Sequence, residues 1–138
     1  MTDTCRALVV DDDPIIRRLV CAMLRTAAIT AVQAEDGEEA WGLLQHDTVD
    51  VVITDRSMPK MDGVQLLRAM RGSPSHVNIP VIMLTGTLAT EAAPEASVEG
   101  ADAFLRKIVS SQELVETVNR VIALRRDPAA PRPPIPSS

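Results

Sequence analysis

Residues 49–63 read VDVVITDRSMPKMDG. The run Val51-Val52-Ile53 is apolar and β-branched, the pattern of a strand buried on both faces. It ends at Thr54-Asp55, and a carboxylate is poorly tolerated inside such a strand. Asp55 is therefore expected where the strand emerges from its sheet. Pro59 and Asp62-Gly63 then mark a tight return before the next helical pattern. In open parallel sheets, ligands bind at the carboxyl ends of the strands. That makes Asp55 the candidate reactive residue. A strand-end aspartate alone is better explained as a polar strand end capping the next helix, so the rest of the chain has to reverse those odds.

Working outward, similar units recur. Ala7-Leu8-Val9-Val10 is a short apolar run that stops at Asp11-Asp12-Asp13. Pro14 follows, suited to the first turn of a helix, and the aspartate before it can cap. Ile15, Ile16, Leu19, Val20, Met23 and Leu24 recur with helical period, with Arg17, Arg18 and Arg25 on the other side. Thr30–Ala34 alternates weakly and ends in Glu35-Asp36-Gly37. A helix over Glu38–His46 would bury Ala40, Trp41, Leu43 and Leu44. After the central strand, a helix from Gly63 to Met70 would bury Val64, Leu67 and Met70. Val81–Leu84 is a fourth buried strand ending at Thr85-Gly86. Thr87–Gly100 is alanine-rich but carries Pro94, which disfavours a regular helix. Ala103-Phe104-Leu105 is a fifth strand, followed by Arg106-Lys107. Ser110 or Ser111 can cap a last helix whose inner stripe is Leu114, Val118, Val121 and Ile122.

This alternation predicts an α/β fold with a parallel sheet, helices on both faces and right-handed crossovers. Four strand ends then share one edge, bringing Asp11, Asp12, Asp55, Thr85 and Lys107 to a common cleft. The last twelve residues, DPAAPRPPIPSS, hold five prolines and can join neither helix nor sheet. The reading is one domain over residues 5–126 and a disordered or polyproline-II tail over 127–138.

Composition excludes several functions. Net charge is −5 and pI is about 5.0, against a nucleic-acid surface built on bulk charge. One Trp, one Phe and no Tyr leave little for base stacking or a flavin clamp. Cys5 and Cys21 have no metal-ligand spacing and fit a reduced, cytoplasmic protein. No stretch is long enough to span a bilayer.

The set Val9-Val10-Asp11-Asp12, Asp55-Arg56-Ser57-Met58-Pro59 with Met61-Asp62-Gly63, Leu84-Thr85 and Gly100–Lys107 resembles the response-regulator receiver domain, the phosphoacceptor of two-component signalling. The resemblance implies a flavodoxin-like, doubly wound five-stranded sheet of order 2-1-3-4-5. It implies that Asp55 is phosphorylated, with a histidine kinase or histidine phosphotransfer protein as donor. It further implies that Asp12, Asp55 and the backbone carbonyl of Ser57 hold Mg²⁺, with Asp11 acting through water. Thr85 and Lys107 would contact the phosphoryl oxygens, Thr85 and Phe104 would form a switch, and Ser57 and Thr87 would tune phosphate lifetime. Such a domain catalyses only its own phosphorylation and dephosphorylation. With no output domain following in this sequence, it is expected to stand alone, its output coming from a downstream partner or from a segment outside the sequence.

Those residue types suit the chemistry. Phosphoryl transfer needs positioning and cations more than bond-making groups. Mg²⁺ takes one or two carboxylates plus phosphate oxygens and keeps several waters. The pattern departs from the family after Lys107, where proline is usual and Ile108 stands here. A cis bond before a non-proline residue costs about 2.5–4 kcal/mol, so a trans bond and a displaced loop are expected, with Lys107 still reaching the carboxylates. Pro14, Ile15, Ile108 and Val109 would then form an apolar contact for the phosphodonor. Two alternatives stand beside this: a degenerate receiver acting only as an interaction module, and a haloacid-dehalogenase-like Mg²⁺ phosphohydrolase using the Asp11-x-Asp13 spacing.

Overall fold

The computed structural model describes residues 5–86, 100–107 and 109–126. Thr87, Pro94, Ile108 with its peptide bond to Lys107, and the tail from residue 127 lie outside the described residues.

Five strands form one parallel sheet: β1 (Arg6–Val10), β2 (Thr30–Ala34), β3 (Val51–Asp55), β4 (Val81–Thr85) and β5 (Ala103–Arg106). Their order is β2-β1-β3-β4-β5, as expected for the doubly wound fold. The described helices are α1 (Pro14–Arg25), α2 (Gly37–Leu44), α3 (Gly63–Arg71) and α4 (Ser111–Arg126). Successive strand residues face opposite sides of the sheet, which makes two cores. Ala7, Val9, Ile53, Ile82 and Leu84 meet α1 and α4 on one side. Leu8, Val10, Val52, Val81 and Met83 meet α2 and α3 on the other.

The helix starts were legible. Asp13 Oδ1 accepts from Ile15 N at 2.9 Å ahead of Pro14. Asp62 and Gln65 form a reciprocal capping box at α3. Ser110, rather than Ser111, caps α4 by accepting from Glu113 N. Leu114, Val118, Val121 and Ile122 are buried as expected.

Two helix faces need correction. In α1 the inner stripe is Ile16, Val20, Met23 and Leu24, with Cys21 buried beside it. Ile15 and Leu19 share an i, i+4 row one residue earlier, a rotation of about 100°. They are accordingly 73% and 39% exposed. In α3 the buried row is Gly63, Leu66, Leu67 and Met70, and Val64 is only half-buried.

Gly63 has a specific steric role. A Cβ there would overlap the Asp55 carbonyl oxygen, with Met83 Sδ at 3.0 Å. Only hydrogen lets α3 start this close behind the strand end. The neighbouring loop is anchored where Gly37 N donates to Met61 O at 2.8 Å.

Candidate functional site

Register brings the polar strand ends level. Val10 pairs with Thr54, so Asp11 follows beside Asp55. Asp55 pairs with Leu84, and Thr85 with Arg106, the residue before Lys107. A cleft of ≈ 490 Å³ opens here, lined by Asp55, Arg56, Ser57, Gly86 and Lys107.

Lys107 Nζ lies 3.0 Å from Asp55 Oδ2 and 3.3 Å from Asp11 Oδ2. The expectation that Lys107 reaches the carboxylates is met, whatever the conformation of the loop after it. Asp11, Asp12 and Asp55 bring carboxylate oxygens within 4.8 Å of one another. Asp11 and Asp55 are buried, and Asp12 is exposed. Asp11 Oδ1 accepts from Asp13 N at 2.9 Å. Its Oδ2 is buried and accepts no hydrogen bond among the described residues, although the Lys107 ammonium lies 3.3 Å away.

The two ends of the Lys107–Asp55 pair respond differently to being enclosed. Burial raises the Asp55 pKa above its ordinary value, and the Asp11 charge adds to that, against the opposing pull of Lys107. Burial works against the Lys107 cation, yet Asp55 and Asp11 outweigh it and raise its pKa. One ammonium between two buried carboxylates leaves surplus negative charge, which adds to the effect of burial on Asp55.

This donor set fits a hard divalent cation. All the ligating atoms are oxygens, they converge, and one buried carboxylate oxygen lacks a hydrogen-bond donor. Asp13 takes no part in the cluster, because its carboxylate caps α1. The Asp-x-Asp pair required by the hydrolase alternative therefore does not converge.

The remaining site residues fall as follows. Ser57 N donates a long bond to Asp55 Oδ1 at 3.4 Å. Thr85 is buried, and its hydroxyl donates to the Leu105 carbonyl at 3.5 Å. Phe104 is half-buried, pairs with Met83 and packs on the α2–α3 side. Pro14 and Ile15 are exposed. Val109 has to be removed from the expected partner contact: it is 6% exposed and packs in the α1–α4 core. The apolar side chain after Ile108 turns inward to close that core.

Sequence reasoning did not single out Arg56 as a cleft residue. The available signal was its place directly after the strand-end carboxylate. His76 was also missed. It is buried in the loop after α3, with Nδ1 2.7 Å from Ser73 Oγ and Nε2 2.9 Å from Leu44 O. It ties the end of α2 to that loop, away from the cleft. Among the described residues, no helix is long and apolar enough to cross a membrane.

A family model described as the response regulator receiver domain matches residues 7–119. The gliding motility regulatory protein of Myxococcus xanthus is 39% identical over 102 residues, which are 74% of this chain and 13% of that protein. The chemotaxis protein CheY of Pseudomonas aeruginosa is 32% identical over 117 residues, 84% of this chain and 94% of that protein. Among solved structures, the chemotaxis response regulator CheY4 of Vibrio cholerae superposes with a TM-score of 0.78. It is 32% identical and covers 86% of this chain and 99% of its own. The chain thus spans a small part of the first relative and nearly all of the second.

Proposed function

This chain belongs to the response regulator receiver domain family, and from that premise we propose that it is a cytoplasmic phosphoacceptor, taking a phosphoryl group from a phosphohistidine onto Asp55. The observation that carries the proposal is Asp55 at the end of β3, 3.0 Å from Lys107 and clustered with Asp11 and Asp12. In the transfer, an Asp55 oxygen attacks phosphorus and the donor's N–P bond breaks. The leaving imidazole nitrogen keeps the electron pair, its ring protonated on the other nitrogen. Lys107 offsets charge on the phosphoryl oxygens. Asp11, Asp12, Asp55 and the Ser57 carbonyl would hold Mg²⁺, which when bound supplies positive charge opposite the phosphoryl oxygens.

Incubation with Mg²⁺ and acetyl phosphate tests the proposal. It should give a hydroxylamine-labile label, the mark of an acyl phosphate. A folded protein that takes no label would support the degenerate-receiver alternative instead.

The metal proposal has its own readout. Mg²⁺ should raise the unfolding midpoint by mass action, stabilising the fold by about 1.4 kcal/mol at tenfold excess over Kd. Asp12→Ala should remove that response. A parent melting curve indifferent to Mg²⁺ would count against the site.

We also propose that phosphorylation draws the Thr85 hydroxyl from the Leu105 carbonyl toward the phosphoryl group, and that Phe104 answers by moving inward. Ser57 and Thr87 remain the proposed lifetime positions. Thr85→Ala should still be labelled, but with smaller amide chemical-shift changes around Phe104. Identical shift changes in variant and parent would sink the coupling. For the phosphodonor surface, Pro14, Ile15 and Ile108 remain the proposed contacts.

A further inference from the structure

We propose that Arg56 is a second phosphate-contacting cation of the cleft and sets how strongly the protein takes an anionic phosphodonor. The inference rests on Asp55 being the phosphoacceptor. Of the five described residues lining the cleft, two are cationic, Arg56 and Lys107.

Lys107 is already shared. Its ammonium sits between Asp55 and Asp11, at 3.0 and 3.3 Å. Transfer then adds charge to the cleft. With acetyl phosphate, an Asp55 oxygen bonds to phosphorus, the P–O bond to the acetyl group breaks, and acetate leaves with the electron pair. One carboxylate charge on Asp55 is replaced by the two of a phosphoryl dianion. Lys107 and a bound Mg²⁺ would together supply three positive charges, against four negative ones from Asp11, Asp12 and the phosphoryl dianion.

Arg56 starts from a fixed point one residue beyond the nucleophile. Its N–H donates to Leu84 O at 3.1 Å, and its carbonyl accepts from Gly63 N at 3.0 Å. Those bonds hold its backbone between β4 and the start of α3. The residue is half-buried, so its charge is less screened by solvent than at an open surface. A guanidinium presents paired N–H groups that match two phosphoryl oxygens, which an ammonium cannot do.

The test measures the rate of acyl-phosphate formation against acetyl phosphate concentration at saturating Mg²⁺. The full chain is compared with Arg56→Gln, Arg56→Met and Arg56→Lys. The neutral variants should raise the half-saturating donor concentration roughly three- to tenfold. They should also flatten the fall of the rate with ionic strength. Arg56→Lys should recover part of the loss. A residue that only supports the fold would lower the melting temperature and the maximal rate without moving half-saturation. Either neutral variant folding with parental half-saturation and salt dependence overturns the proposal. If neither neutral variant folds, Arg56→Lys decides, and parental half-saturation there removes the role assigned to the guanidinium fork. A parent that takes no label would instead defeat the phosphoacceptor proposal on which this one rests.

Discussion

Asp55→Asn is expected to lose acyl-phosphate formation by at least roughly a thousandfold, because an amide oxygen is a poor nucleophile toward phosphorus. The same variant should melt at a higher temperature than the parent in the absence of Mg²⁺. Burial and the neighbouring Asp11 raise the folded pKa of Asp55. A carboxyl with a raised folded pKa favours the fold while protonated and loses that advantage as pH rises. The loss begins near the ordinary value of 3.8 and is complete above the raised one. Asparagine cannot ionise, so its advantage should be absent below that window and full above it. Lys107 acts in the opposite sense. Its raised pKa gives stability that is present below 10.5 and lost as pH rises through the folded value. The asparagine variant forfeits part of this, but Asp11 still faces the ammonium. The net gain should be about 1 kcal/mol, a few degrees in Tm. A lower metal-free Tm at pH 7 would show that the Lys107–Asp55 attraction outweighs the crowding of carboxylates.

The largest loss of stability is expected far from the cleft. Asp102 joins the start of the sheet to two helices. Its Oδ2 accepts from Arg71 Nη2 at 2.9 Å and from Val81 N at 2.8 Å. Its Oδ1 accepts from Arg125 Nε at 2.9 Å, with Nη2 at 2.8 Å. Arg71 also donates to the carbonyls of Val77, Ile79 and Gly100. Burial lowers the Arg71 pKa, Asp102 opposes that, and Arg125 adds to it. Removing Asp102 would leave two enclosed guanidinium groups facing each other and a strand N–H without its acceptor. The side chains are 17–19% exposed, so some penalty is relieved by water. Asp102→Ala should cost about 2–4 kcal/mol, a fall in Tm on the order of 10 °C. Labelling below the new Tm should persist, because the cleft lies at the opposite edge of the sheet. A Tm within two degrees or so of the parent would mean that solvent satisfies both arginines.

The cleft was more legible in the sequence than the helix faces were. The apolar runs of β1, β3 and β4 each give way to polar residues at Asp11, Asp55 and Thr85, and parallel strands put all those ends on one edge. Asp11, Asp55 and Lys107 could therefore be brought together from run boundaries alone. The rotation of α1 was not readable in the same way. Ile15-Ile16 and Leu19-Val20 are adjacent apolar pairs, and either row would give a helical stripe. Only the packed sheet shows that Ile16 and Val20 face inward. Val109 was misjudged for a related reason, since nothing local says which way an apolar loop residue turns. The Asp102 network was invisible because its partners are far along the chain. Arg71 is 31 residues away and Arg125 is 23.

The central claim is that one carboxylate, Asp55, receives the phosphoryl group. Mass-spectrometric mapping after incubation with Mg²⁺ and acetyl phosphate tests it most directly. The account predicts a single modified residue, Asp55, in the peptide containing VDVVITDRSMPK. Modification at Asp11 or Asp13 instead, with Asp55 untouched, would contradict it.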